Sequence, residues 1–271
     1  MPFVESHQAR ISYTVDGQLG GPPLLLIMGL GGSSAEWGSD FLEQLARHFQ
    51  VACMDNRGVG ESTTATYDFT LQDMVEDAIA VLDDLAWPRA HVLGLSMGGM
   101  IAQQMAISAP GRVAGLVLMS THFGGSEVVP LTERGKGLFA GLIAGETMEQ
   151  YFARRFTTLA APGFAERNPA VVTRFVSGRG TRQVTPELFQ AQLTAVHGSD
   201  RSRMVARISQ PTLVLHGDED CLIPVDNGRN LAARIPGAQL SVLEDCGHLP
   251  PWEHPAECAA RLVPFLEAVR A

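Results

Sequence analysis

The stretch "HVLGLSMGGMIAQQMAI", residues 91–107, changes its structural pattern at Ser96. The residues before Ser96 form an apolar run that suits a buried strand, and the residues after it have helical spacing. Residues 94–98 read G-x-S-x-G, a motif in which a sharp strand-to-helix turn requires small residues two positions before and after the serine. Because such a turn exposes the serine Oγ at the start of a helix, Ser96 is predicted to be a catalytic nucleophile.

The sequence on either side predicts an open α/β sheet. Apolar runs without alternation are typical of strands covered by helices on both faces, and they occur at 24–28, 51–54, 91–95, 114–119, 212–216 and 240–244. Segments with helical spacing lie at 36–48, 70–86, 97–109, 225–235 and 255–269. Thr70 and Asp73 resemble a capping box at the start of the second of these helices. Strands that alternate with helices indicate a mostly parallel, twisted sheet flanked by helices.

Two segments depart from this alternation. The stretch "ARISYTVDG", residues 9–17, alternates apolar and polar residues and ends in Asp-Gly, which predicts a hairpin turn there. Between the strand runs that end at 119 and begin at 212, the pattern is helical, in "GKGLFAGLIAG" (135–145), at 148–156 and in "TPELFQAQLTAV" (185–196). We therefore predict a helical cap over 122–210, inserted into a core formed by 1–121 and 211–271.

Composition excludes several classes of protein. The net charge of -9 argues against nucleic-acid binding, because phosphate contacts need a basic face. Neither a signal peptide nor an apolar run long enough to span a membrane is visible. The four cysteines form no C-x-x-C pair, and we expect Cys221 and Cys246 to be buried free thiols. The chain is expected to be a cytoplasmic monomer or homodimer that acts on a small molecule.

A nucleophilic serine needs a base, and the base needs an acid that orients it. His248, in "EDCGHLPPWEHP", lies in a loop that begins at the carboxyl end of the last strand run. The stretch "LVLHGDEDCLIP" supplies three carboxylates after the preceding strand; Asp220 is favoured over Asp218, and Glu219 is expected to point away. The alternative for these carboxylates is a solvated acidic turn. The chain order Ser96, Asp220, His248 matches the nucleophile–acid–base order of one large fold family.

The chain resembles the α/β-hydrolase superfamily from about Pro22 to its C-terminus, apart from the cap. The motifs that carry the resemblance, in the family's order, are "MGLGGS" (28–33), "DNRGVGES" (55–62), "GLSMGG" (94–99), "GDED" (217–220) and "GHLPPWEHP" (247–255). The resemblance implies an α/β-hydrolase fold and an oxyanion hole formed by the N–H groups of Leu30 and Met97. Met28 stands where the family often has a histidine that braces this loop. The similar proteins include cofactor-free esterases, enol-lactonases, C–C bond hydrolases and polyketide methyl esterases.

The first motif also imitates a different class of site. The sequence "GLGGSS" (29–34) follows a strand run, and Asp55 ends the next one, as in a dinucleotide-binding fingerprint. The third glycine of that fingerprint would fall at Ser34, so the match is incomplete.

The expected substrate follows from the side chains predicted to line the pocket. Aromatic and imidazole side chains from the cap and the strand-end loops are the candidates: Trp37, His122, Phe123, Phe139, Phe152 and Trp252. Since no cluster of Arg or Lys marks an anion site, we predict a serine hydrolase of largely apolar carboxylic esters or lactones, with neither cofactor nor metal. The alternatives are C–C bond hydrolysis or perhydrolysis with the same triad, and a non-catalytic ligand-binding protein.

Overall fold

The computed structural model describes residues 1–139, 141, 143–178 and 184–270. Its strands are β1 (Phe3–Ser6), β2 (Ala9–Gly17), β3 (Pro23–Ile27), β4 (Gln50–Met54), β5 (Thr63–Thr64), β6 (Ala90–Leu95), β7 (Val113–Met119), β8 (Thr212–Gly217) and β9 (Gln239–Leu243). The six strands predicted from apolar runs correspond to β3, β4 and β6 to β9, with no end displaced by more than one residue. Their positions are confirmed, but the burial predicted for β9 is wrong, because β9 lies at the edge of the sheet and its residues Gln239 and Leu240 are exposed.

The helices lie between the strands and after β9. They are α1 (Ser39–Ala46), α2 (Leu71–Asp84), α3 (Met97–Ser108), α4 (Glu133–Lys136), α5 (Met148–Leu159), α6 (Phe164–Arg167), α7 (Pro169–Gly178), α8 (Pro186–His197), α9 (Val225–Arg234), α10 (Pro250–Glu253) and α11 (Pro255–Glu267). Short 3₁₀ turns cover Ser34–Trp37, Pro110–Arg112, Gly137–Phe139 and Val205–Arg207.

The capping box predicted for α2 is present. The Asp73 N–H donates to Thr70 Oγ1 at 3.3 Å, and the Thr70 N–H donates to Asp73 Oδ2 at 2.7 Å. The single helix predicted over 36–48 is wrong, because a 3₁₀ turn and α1 meet at Gly38. Gly38 has a φ of 79°, in the region that favours glycine, and this conformation interrupts the helix.

The sheet order is β1-β2-β4-β3-β6-β7-β8-β9, and β5 pairs with β2. All neighbours from β4 to β9 are parallel, whereas β2 is antiparallel to β1, β4 and β5. The central strand β3 lies between β4 and β6. The chain passes from β3 to β4 on one side and later returns to β6 on the other side, which makes this position the switch point of the sheet. In such a sheet the carboxyl ends of the strands around this switch point form the ligand crevice.

The hairpin turn predicted at Asp16-Gly17 is wrong. β2 forms its hairpin with β1, through the two residues 7 and 8 that precede it. After Gly17 the chain enters β3, which pairs with β4 and β6 instead of with β2. The alternation in β2 therefore marks an edge region of the sheet, while the Asp-Gly pair joins two strands that are not neighbours.

Helices cover both faces of the sheet, which explains the unbroken apolar runs. Leu24 and Leu26 of β3 pack in a cluster with residues of α1 and α11. Leu25 and Ile27 point to the opposite face and pack with residues of α2 and α3. Since successive side chains of a strand alternate between faces, every position of such a strand is buried.

The cap segment, defined as residues 122–210, contains α4 to α8. Its described residues form no strand, as predicted. The helical stretches predicted at 148–156 and 185–196 correspond to α5 and α8. The stretch 135–145 is a short helix and a 3₁₀ turn up to 139, and its residues 140 and 142 lie outside the described residues.

The cap segment has a hydrophobic cluster of its own. The cluster contains Phe156, Phe164 and Phe175, and it is completed by Leu249 and Trp252 from the chain after β9. At the ends of the segment, however, Phe123 and Val205 pack in the main core. The exact boundaries 122 and 210 between core and cap stay a prediction.

All four cysteines are buried and free. Among residues 1–139, 143–178 and 184–270, no helix has the length and apolar character that a membrane span requires.

Candidate active site

Ser96 stands between β6 and α3 in a strained conformation. Its φ of 55° and ψ of −118° lie outside the regions that non-glycine residues ordinarily adopt. The glycines of the motif make the turn possible: a Cβ added at Gly98 would lie 1.9 Å from the Ile27 carbonyl oxygen, and one at Gly94 would lie 2.2 Å from the Gly98 oxygen. The predicted strand–serine–helix turn is therefore present, and the close backbone approach explains both glycines.

Asp220 and His248 meet at the carboxyl end of the sheet. Asp220 follows β8 and His248 follows β9, the two neighbouring strands at this side. His248 Nδ1 lies 2.7 Å from Asp220 Oδ2, and both side chains are buried. With the Nδ1–H donating to the carboxylate, His248 Nε2 is left as the proton acceptor.

The carboxylate of Asp220 is held in the ionised form. Burial opposes ionisation, but the adjacent His248 and the hydrogen bonds from His216 and His248 hold the pKa of Asp220 well below its usual range. Its other oxygen, Oδ1, accepts the N–H groups of Leu222 and Ile223 at 2.9 and 2.8 Å. This network fixes the carboxylate under the imidazole.

The structure distinguishes the three carboxylates of the acidic turn. Asp218 and Glu219 are exposed, and Asp218 Oδ1 accepts the Cys246 N–H at 3.3 Å instead of a histidine. Of the three, Asp220 is the buried one that contacts His248. The choice of Asp220 over Asp218 agrees with this geometry.

The remaining link, from Ser96 to His248, is open in this structure. Between these two described side chains no hydrogen bond is formed, and Ser96 is 9% exposed. Catalytic hydrogen bonds are often long in the absence of substrate and tighten in the complex. The meeting of hydroxyl and imidazole stays a prediction.

Two backbone N–H groups are available beside Ser96. Leu30 follows β3 and Met97 follows Ser96, and these strands pair directly, with Ile27 opposite Gly94. Within the described residues, neither the Leu30 nor the Met97 N–H donates to a protein acceptor. Two such donors at the switch point suit the developing oxyanion of acyl transfer.

Side chains from two directions hold the loop that carries Leu30. Asn56 Nδ2 donates to the Met28 carbonyl oxygen at 2.9 Å, so the "DNRGVGES" turn has a structural role at this edge. From the cap segment, Gln192 Oε1 accepts the Gly31 N–H at 2.9 Å. Sequence reasoning missed Gln192, since nothing in the pattern of α8 separates it from an ordinary buried helix position.

Two further residues that sequence reasoning missed contact Asp220 and the His248 loop. His216, at the end of β8, is fully buried; its Nε2 lies 2.7 Å from the Ile223 oxygen and 3.4 Å from Asp220 Oδ2. Glu253 accepts the backbone N–H groups of Gly247 and Leu249, on either side of His248, at 2.9 and 3.1 Å. His216 and Glu253 both lie inside sequence motifs quoted above. For His216, the signal in the sequence was a polar residue at the end of an otherwise apolar strand.

The residues predicted to line the pocket are dispersed. Trp37 is fully buried in the core, where it stacks on Phe41 with ring centroids 6.1 Å apart. Phe123 also lies in the core, and Phe139 is 56% exposed on the surface. The residue type predicted an apolar surrounding for these side chains but could not predict their location, and their role in the pocket stays a prediction.

His122, Trp252 and Phe152 complete the set. Burial, together with the charges of Arg201 and the neighbouring imidazoles, His248 among them, lowers the pKa of His122 to about 4. The His122 Nδ1 accepts the Gly124 N–H at 2.9 Å. Trp252 packs in the cap cluster and donates from Nε1 to the Glu36 oxygen at 2.6 Å, and Phe152 packs edge-on against Tyr151.

Asp55, the residue that the dinucleotide-binding alternative requires, has a structural role instead. Both oxygens of Asp55 are occupied by backbone donors, the N–H groups of Ser34 at 2.7 Å and Glu61 at 3.0 Å, so this carboxylate is structural and not a ribose ligand. In the part of the chain that the structure describes, no group of three or more His, Cys, Asp or Glu side chains is arranged to hold a metal ion.

Comparison with known proteins agrees with this architecture. Residues 22–255 match the family model described as "alpha/beta hydrolase fold". The chain is 34% identical over 230 residues to a poly(3-hydroxyalkanoate) depolymerase of Ectopseudomonas oleovorans, covering 84% of this chain and 78% of the relative. It is 30% identical over 266 residues to a 2-hydroxy-6-oxononadienedioate/2-hydroxy-6-oxononatrienedioate hydrolase of Burkholderia vietnamiensis, covering 96% and 91%. A solved hydrolase from Pseudomonas aeruginosa superposes with a TM-score of 0.81 at 30% identity, covering 98% of this chain and 97% of that one. The fold predicted from the sequence is confirmed.

Proposed function

Because the chain belongs to the α/β-hydrolase family, we propose that it is a serine hydrolase that cleaves a carboxylic ester or lactone of a small, largely apolar substrate. Ser96 is the nucleophile, His248 the general base and Asp220 the acid that orients it. The N–H groups of Leu30 and Met97 bind the oxyanion.

The reaction has two halves. Ser96 Oγ attacks the carbonyl carbon while His248 Nε2 takes the hydroxyl proton, and the imidazolium then protonates the departing alkoxide. Water attacks the resulting acyl-enzyme with His248 again as base, and Ser96 leaves with the proton restored. Asp220 stays ionised throughout and stabilises the imidazolium, in accordance with its low pKa.

One observation carries this proposal. The 2.7 Å contact between Asp220 Oδ2 and His248 Nδ1 occurs at the same sheet edge at which Ser96 adopts its strained elbow conformation. A strained non-glycine residue is kept only where the surroundings enforce it, and such positions cluster at functional sites. A solvated acidic turn would leave Asp220 exposed, whereas it is buried.

A fluorophosphonate probe tests the nucleophile. The wild type should be labelled, and Ser96→Ala should not. Ser120→Ala is the matched control, because Ser120 follows the neighbouring strand β7 and also has a positive φ, of 47°; it should still be labelled. A folded wild type that resists the probe would favour the non-catalytic ligand-binding alternative.

The nature of the cleaved bond needs a second experiment. Hydrolysis of a C–C bond by the same triad is the second candidate, supported by the likeness to the Burkholderia vietnamiensis hydrolase over 96% of the chain. Aryl esters, lactones and vinylogous diketones, compared by kcat/KM, would separate the two. A preference of more than about tenfold for the diketones would replace the ester proposal.

A further inference from the structure

Gln192 is an uncharged polar residue in an unusual place. It lies on α8 of the cap segment, is 0% exposed, and its neighbours Ala191 and Ala195 pack in the main core. Its Oε1 accepts the Gly31 N–H, next to the proposed oxyanion donor Leu30. The cap segment therefore contacts the oxyanion loop, residues 28–31, through a hydrogen bond.

The orientation of this amide is fixed by its partner. Gly31 N–H is a donor, so the Gln192 atom that faces it must be the carbonyl oxygen. The Nε2 group therefore points elsewhere, and among the described residues it has no acceptor. A buried amide donor without a partner is costly, so such groups are rare unless a ligand or a water completes them.

The packing around Gln192 brings α8 close to this edge of the sheet. A Cβ added at Gly31 would lie 3.6 Å from Phe189 Cδ2, and one at Gly58 would lie 2.8 Å from Leu188 Cδ1. These distances show that the side chains of Phe189 and Leu188 on α8 lie next to Gly31 and Gly58. Gln192, which follows on the same helix, reaches the loop from above.

Among the described residues, no other side chain from the cap segment forms a hydrogen bond with residues 28–31. Met28, at the position where similar proteins often have a bracing histidine, is buried in the core and has only a weakly accepting thioether. Asn56 holds the Met28 oxygen from the other direction. The Gly31 N–H is thus left to Gln192.

We propose that Gln192 is the positioning residue of the oxyanion loop and that its Nε2 donates to an acceptor oxygen of the bound substrate. The inference rests on the proposed hydrolase function and narrows its substrate class. The preferred acyl or lactone substrates carry a further oxygen close to the scissile carbonyl, and that oxygen accepts a hydrogen bond from Gln192 Nε2.

Hydrogen exchange tests the positioning role without any turnover. Gln192→Met keeps the length of the side chain but removes both polar atoms, and Gln192→Glu keeps an oxygen for the Gly31 N–H. Gln190→Met is the matched control, an identical change on an exposed position of α8. Exchange in residues 28–33 should accelerate about tenfold or more in Gln192→Met and stay at the wild-type rate in the other two. Unchanged exchange in Gln192→Met would overturn the positioning role.

Kinetics with p-nitrophenyl esters add the catalytic consequence. Gln192→Met should lose about 10²-fold in kcat, as expected when an oxyanion donor is misplaced, with a smaller change in KM. A kcat within threefold of the wild type would contradict the proposal. Gln190→Met should match the wild type.

The substrate oxygen is tested with an isosteric pair, p-nitrophenyl 3-methoxypropanoate and p-nitrophenyl pentanoate, which differ by an ether oxygen in place of a methylene. The wild-type ratio of kcat/KM, ether over alkyl, should fall about tenfold in Gln192→Met, the effect of one lost hydrogen bond. The same ratio in Gln192→Met and wild type would overturn the donor role. If the wild type cleaves neither ester and resists the fluorophosphonate, the proposed function fails, and the exchange experiment still decides the positioning role.

Discussion

Glu253→Gln is expected to reduce both stability and turnover, because Glu253 joins the His248 loop to the cap segment. Its Oε2 accepts the N–H groups of Ala161 at 2.7 Å and Gly247 at 2.9 Å, and its Oε1 accepts the Leu249 N–H at 3.1 Å. The carboxylate thus satisfies three buried backbone donors. Two of them flank His248, and the third belongs to the cap segment.

The magnitude follows from what a glutamine can accept. Its single oxygen can take the place of Oε2, and the amide NH₂ then faces the Leu249 N–H, donor against donor. One unsatisfied buried donor costs about 1–3 kcal/mol. Burial raises the pKa of Glu253, so a neutral side chain removes the cost of burying a charge and reduces the loss. We expect a net loss of about 1–2 kcal/mol, or roughly 2–8 °C in Tm for a chain of this size.

The effect on turnover follows from the position of His248 between two of the released amides. A displacement of about 1 Å in a catalytic group can cost about 10²-fold, so kcat should fall by about 10- to 100-fold. Urea unfolding and ester kinetics measure the two effects. Glu257→Gln is the control, since Glu257 pairs with Arg261 on the exposed side of α11 and should change stability by less than about 0.5 kcal/mol. If Glu253→Gln matched this control in both assays, the role assigned to the three hydrogen bonds would be refuted.

Three further predictions test the triad, the elbow and the core. Asp220→Asn should lower kcat by about 10⁴-fold with the fold retained, as measured by circular dichroism and ester kinetics, because the amide favours the wrong imidazole tautomer. Gly98→Ala should abolish folding or activity in an expression and labelling assay, since its Cβ would lie 1.9 Å from the Ile27 oxygen, whereas Gly111→Ala meets nothing within 4 Å and should be neutral. His91 is fully buried with no partner for either nitrogen among the described residues, and burial lowers its pKa from 6.5 to about 4. The folded protein accommodates His91 in its neutral form, so the free energy of unfolding decreases as the pH falls from 6.5 towards 4. In His91→Leu this acid-dependent decrease should be smaller by about 3 kcal/mol. Urea titrations between pH 7 and pH 3.5 measure it.

The parts of the fold that the sequence predicted depend on local, periodic information. β3 illustrates this, because Leu24 and Leu26 face one helical layer and Leu25 and Ile27 face the other. An unbroken apolar run is the direct consequence of two covered faces, so it can be recognised without knowing the partner strands. The elbow is local in the same way, since the two glycines that the turn needs lie within two residues of Ser96.

The failures involve choices between distant partners. The Asp16-Gly17 pair has the composition of a hairpin turn, but β2 pairs with β1 and β4, so the pair connects strands that are not neighbours. Similarly, the helical spacing over 36–48 continues through Gly38, whose positive φ breaks the helix, next to the Trp252 ring. Composition indicates that a turn or a helix is possible, and the tertiary contacts decide which one forms.

The same limit explains which site residues the sequence could supply. Ser96, Asp220 and His248 follow strand ends, and parallel strands bring their carboxyl ends to one edge, so topology alone predicts that they lie near each other. Gln192 accepts the distant Gly31 N–H, and one of the three hydrogen bonds of Glu253 comes from the distant Ala161 N–H. No local pattern encodes these two long-range pairs.

These contacts also bear on the role of the cap segment in catalysis. The His248 N–H donates to the Leu159 oxygen at 2.8 Å, and Glu253 accepts the Ala161 N–H, so the end of α5 is bonded to the loop of the base. Gln192 bonds the other side of the cap segment to the oxyanion loop. A substitution in the cap segment that disturbs these hydrogen bonds is therefore expected to shift the proposed base and the proposed oxyanion donors. Under the proposed mechanism, a variant of the cap segment should be assayed for both substrate preference and turnover.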